Sequence, residues 1–98
     1  MTTTSTLYVG IDISLDTNQV CVMNFDQHKF FNRSFENSST GSDALIHDLS
    51  SIMNSHDFSY IIITMEATYV YFFHIATKLY IDEELNLFHT QIFCLNTK

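Results

Sequence analysis

Apolar and polar positions alternate between long blocks and short breaks along this chain. Leu7 to Ile13 ("LYVGIDI") is β-rich and mostly apolar, which predicts a central strand buried on both faces. Ser14 to Asn18 reads as a turn, Gln19 to Phe25 as a second strand, Asp26 to Lys29 as a short connection and Phe30 to Phe35 as a third strand. Two short loops joining three strands predict an antiparallel meander.

The pattern then changes period. Glu36 to Asp43 is a polar loop in which Ser38 or Thr40 can cap a helix, with Asp43 and Asp48 toward its start. Leu45, Leu49 and Ile52 recur at i, i+4 and i+7, flanked by Ile46 and Met53, which predicts an amphipathic helix ending near Ser55. Phe58 to Glu66 is a continuous apolar run and predicts a central strand parallel to its neighbour. A second helix, apolar around most of its circumference, is predicted from Thr68 to Tyr80, and His89 to Asn96 reads as a last buried strand. The order βββ-α-β-α-β predicts an α/β fold: a mixed five-stranded sheet with helices packed on it. A ribonuclease H-like fold has this order, and other α/β folds share parts of it.

Composition narrows the class. Ninety-eight residues make one domain, residues 1–98, with a modest core. The net charge of −7, from 11 acids and four bases, argues against this segment alone gripping a phosphate backbone through Lys and Arg. It is compatible with carboxylates joined by divalent cations. Cys21 and Cys94 form no C-x-x-C and read as reduced core thiols of a cytoplasmic protein. The first ten residues carry no basic n-region, which predicts no signal peptide, and no apolar run is long enough to span a membrane. The N-x-[ST] matches at Asn32 and Asn37 have no meaning without secretion.

Two carboxylates interrupt the apolar strands. Asp12 falls in the middle to late part of the first strand, and Glu66 at the end of the fourth. If those strands are adjacent and parallel, both acids emerge near one end of the sheet. Two such charges stay close only when something positive joins them, and Mg²⁺ or Mn²⁺ is the usual answer in phosphodiester chemistry. The plainer readings are a solvated turn residue or helix cap for Asp12, and for Glu66 an acid suited to the dipole of the helix after it.

Four segments, "YVGIDISLDT" (Tyr8 to Thr17), "FENSSTGSDAL" (Phe35 to Leu45), "MEATYVYFFHIA" (Met65 to Ala76) and "CLNTK" (Cys94 to Lys98), occur in this order and at suitable spacing. Together they resemble the N-terminal domain of the DEDD transposases of bacterial insertion sequences, the one-ten group. The resemblance covers nearly the whole chain and implies a RuvC-like, ribonuclease H-like domain that binds Mg²⁺ through Asp, Glu, Asp and Asp to cut and rejoin DNA. Asp12 matches the first acid and Glu66 the second. The last two acids follow the strand matched here by "CLNTK", so the chain is C-terminally incomplete relative to the family and is expected to be inactive alone. The family further implies a structured guide RNA and a separate domain with a serine nucleophile. The chain departs from the family pattern at Tyr69, where Gly is usual, and at Thr97, where Pro is usual.

The second functional reading is a non-catalytic ribonuclease H-like scaffold or degenerate fragment that forms a homodimer or binds a protein. An actin-like or sugar-kinase-like ATPase starts with a similar "GID" strand but needs a Gly-rich phosphate turn that "ISLDTN" lacks. Ser14 and Asp16 fit a polar hairpin turn, with support of Asp12 as the alternative. His28, His47, His56, His74 and His89 show no metal-ligand spacing. Tyr69, Tyr71, Phe72 and Phe73 suit core packing or a dimer interface better than base stacking.

Overall fold

The computed structural model describes residues 5–67 and 89–96. The elements are β1 (Thr6–Ile13), β2 (Thr17–Met23), β3 (Lys29–Glu36), α1 (Ser39–Ser55), β4 (Tyr60–Ala67) and β5 (His89–Asn96). They form a five-stranded sheet in the order β3-β2-β1-β4-β5. The β1–β2 and β2–β3 pairs are antiparallel, and the β1–β4 and β4–β5 pairs are parallel. The fold is therefore α/β with a mixed sheet, as the pattern predicts. The second helix expected from Thr68 to Tyr80 lies outside the described residues, as do Tyr69, Tyr71, Phe72, Phe73 and His74.

Turn chemistry sets the hairpins. Between β1 and β2, the Ser14 amide and hydroxyl both donate to the Thr17 carbonyl, at 2.9 and 2.8 Å. This closes the turn two residues earlier than the sequence pattern suggests, and Asn18 becomes a buried strand residue. Between β2 and β3, the Asn24 side chain accepts from the His28 amide at 2.9 Å, and Gln27 takes the left-handed conformation (φ 68°). Phe25, expected to end the second strand, therefore lies in this turn and is 54% exposed.

The helix begins where its cap allows. Ser38 is the N-cap, and its hydroxyl oxygen accepts from the Gly41 amide at 3.1 Å, so Thr40 lies inside the helix. No acid sits in the first turn. Asp48, expected near the helix start to meet its dipole, instead pairs across to Arg33 on β3. The Arg33 guanidinium also lies 4.7 and 5.0 Å from the rings of Phe31 and Phe35. The ion pair thus ties the helix to the edge strand, and the two rings of β3 hold the guanidinium in place.

The core lies between α1 and one face of the sheet. Leu45, Ile46, Leu49 and Met53 cover Leu7, Val9, Ile11, Ile13, Val20, Val22, Ile61, Ile63 and Met65. On the other face, Gly10 and Asp12 of β1 and Thr64 and Glu66 of β4 are exposed. The first and fourth strands are thus buried on alternate residues, not on both faces. Their continuous apolar appearance came from Tyr8 and Ile62, which are only half-buried on the outer face. Cys21, expected as a core thiol, is a free thiol on that outer face and is half-buried. The side chain of Cys94 is outside the described residues.

Candidate functional site

Register brings the two sequence-predicted acids together. In the parallel β1–β4 pair, Asp12 is the Cα partner of Glu66. Partners on neighbouring strands share a face and lie one strand spacing apart, roughly 4.8 Å. Both side chains are exposed on the face opposite α1. They sit side by side far from each other in sequence because β4 aligns Ile61, Ile63 and Met65 under α1 in phase with Leu7, Val9 and Ile11. A slip by one residue would drive Glu66 into the core.

Two carboxylates in this position repel each other. Among the described residues neither has a basic partner, and no group of three or more His, Cys, Asp or Glu side chains converges. The donor set is therefore two hard oxygen ligands on an open surface. That set fits Mg²⁺ or Mn²⁺, which are commonly held by one or two carboxylates with water and substrate phosphates completing the shell.

The acids line a shallow depression of about 390 Å³ with Gly10, Ile11, Gln19, Cys21, Asn32 and Thr64. Gln19 pairs with Asp12 on the β2 side. Its amide donates to Asn32 Oδ1 at 2.8 Å and accepts from Ser34 Oγ at 2.7 Å. The sequence reading did not single out Gln19, Asn32 or Ser34 as site residues. Their signal was present: polar side chains at alternate positions of strands whose other positions are apolar.

Ser14 and Asp16 serve the hairpin. Ser14 bonds Thr17, and the backbone carbonyls of Ser14 and Asp16 accept from Asn37 at 2.7 and 2.8 Å. His28 lies in the turn before β3 and His56 at the C-cap of α1, both edge-on to Phe30 at 5.1 and 4.9 Å. Among the described residues, no helix is long and apolar enough to cross a membrane.

A family model described as a transposase, the DEDD type of the one-ten insertion-sequence group, matches residues 9–89. No curated protein matches the chain. The crystal structure of an exopolyphosphatase from Cytophaga hutchinsonii is similar to 90% of this chain, at 13% sequence identity and a TM-score of 0.39. The chain spans 34% of that structure's length, and a likeness this distant carries no argument.

Proposed function

Because the chain belongs to the DEDD transposase family of the one-ten insertion-sequence group, we propose that it supplies part of a ribonuclease H-like, RuvC-like catalytic domain for DNA cleavage and strand transfer. Asp12 and Glu66 are two of its ligands for Mg²⁺ or Mn²⁺, DNA is the substrate and the cytoplasm is the compartment. The observation that supports this best is the Asp12–Glu66 register on an exposed face. Bound there, such a cation supplies Lewis acidity for phosphodiester cleavage. The chain's own contribution is positional. The hydrogen-bonded ladder on both sides of β1 fixes where the two carboxylates stand, and the core beneath Ile11 and Met65 holds that ladder rigid. An exposed pair with no basic partner among the described residues stays repulsive until a cation arrives, which favours binding.

The test is a Mg²⁺ titration followed by side-chain carboxylate NMR, with Mn²⁺ as a broadening probe. Resonances of Asp12 and Glu66 should move together, and Mn²⁺ should broaden them with their neighbour Gln19. Asp12→Asn should abolish the response at Glu66. Silence at both positions in the unaltered chain would leave the non-catalytic scaffold as the better reading.

A further inference from the structure

The row of outer-face residues that holds Glu66 and Asp12 continues across β2 and β3 as neutral donors. Gln19 is the register partner of Asp12, and Ser34 is the register partner of Gln19. Ser34 Oγ donates to Gln19 Oε1, and Gln19 Nε2 donates to Asn32 Oδ1. These bonds fix which way the Gln19 amide faces. They leave one Nε2 hydrogen on Gln19 and both Nδ2 hydrogens on Asn32 for another acceptor.

All three side chains are exposed, so the core does not require their order. Ordering exposed side chains costs rotamer entropy, and such bonds gain little in water. What the arrangement does provide is a set of donors already aimed, which lowers the entropy cost of taking up a ligand. The depression beside them, about 390 Å³, lies toward the small end of ligand sites, about 300–1,000 Å³. It runs from the acids to Asn32 across Gly10, where an added Cβ would meet nothing within 4 Å. A chain backbone can therefore lie close to the sheet.

The ligand must present acceptors along two strands and carry an anionic group to the acid end, where a cation would bridge it to the carboxylates. A net charge of −7 argues against ion-pair capture by Lys and Arg as the main attraction. Asn, Gln and Ser are ordinary donors to phosphate and sugar oxygens and hold a strand in register without reading its sequence. A free phosphate would engage one end of the depression only. We infer that Gln19 and Asn32 hold the sugar–phosphate backbone of a DNA strand beside Asp12 and Glu66, with Ser34 positioning the Gln19 amide. The inference rests on the metal-site reading for the cation that joins strand to acids.

The experiment adds a single-stranded oligothymidine to the ¹⁵N-labelled chain in Mg²⁺ at low salt, with an oligouridine RNA of equal length in parallel. The DNA should shift the side-chain amides of Gln19 and Asn32. Gln19→Ala should weaken DNA binding between about two- and tenfold, the value of one hydrogen bond, with the melting temperature and the Mg²⁺ response of Asp12 kept. Ser34→Ala should lose less and leave the Gln19 amide less sharply defined. Unmoved amides, or unchanged affinity in Gln19→Ala, overturn the inference even where Mg²⁺ binds. RNA moving the amides while DNA does not overturns the choice of DNA. Amides that respond to DNA while Mg²⁺ leaves Asp12 and Glu66 untouched overturn the metal reading alone.

Discussion

Asp12 and Glu66 have a cost before they have a use. Like charges opposite each other in a ladder destabilise it by a few tenths of a kcal/mol. Asp12→Asn should therefore leave the metal-free melting temperature unchanged or slightly raised, while removing the Mg²⁺ response, and differential scanning fluorimetry with and without Mg²⁺ reads both. A residue kept only for stability would show the opposite sign. Asn18 gives a second residue-level expectation. It is fully buried between Ile13 and Phe35, and neither its amide nitrogen nor its amide oxygen has a hydrogen-bond partner among the described residues. An unpaired buried amide costs roughly 1–3 kcal/mol, so Asn18→Leu should raise the urea midpoint. A fall would mean that overpacking outweighs the relief.

The link between α1 and β3 is where one element depends most on another. Gly41 sits in the first turn of α1 against the backbone of Glu36, and an added Cβ there would fall on the Glu36 carbonyl oxygen and 2.7 Å from its carbon. Helix propensity alone favours Ala over Gly by about 1 kcal/mol. Because the obstacle is backbone, which cannot swing away, Gly41→Ala should nevertheless destabilise the fold by about 1–3 kcal/mol in denaturant unfolding. Three residues earlier, Ser38→Ala removes the acceptor for the Gly41 amide and should cost about 1 kcal/mol. Both signals were partly readable. The cap was visible as Ser or Thr in a polar loop, and the close approach was not, because nothing in "STGSD" says that β3 ends against the helix. The partner of Asp48 is hidden for the same reason: from sequence Asp48 is only an acid toward the start of a helix, and nothing local says that Arg33 faces it.

At the scale of the whole molecule, α1 covers one side of the sheet among the described residues, and the core they form lies between the two. Leu49 is fully buried there, so Leu49→Ala should lose about 2–5 kcal/mol. Against the roughly 5–15 kcal/mol typical of a domain, that is a large share, and the midpoint of urea unfolding measures it. A cation that binds only the folded chain should act in the other direction. At 100 times its Kd, Mg²⁺ would add about 2.7 kcal/mol, and this gain should vanish in Asp12→Asn.

The sequence by itself determined the strands, the first helix and the two acids, because side-chain period and turn formers are local properties of the chain. Leu45, Leu49 and Ile52 announce a helix, and the polar run after Ile13 announces a turn, whatever the strands pair with; that the turn ends before Thr17 came from the pairing of β2. The tertiary structure decided which face each strand buries, where Phe25, Asp48 and Cys21 lie, and that Gln19, Asn32 and Ser34 stand beside the acids. Those outcomes depend on register, and register is settled only when distant strands align their apolar residues beneath the same helix. Asp12 was legible as an exception within an apolar strand. That Glu66 is its neighbour on an open face came from the pairing of β1 with β4.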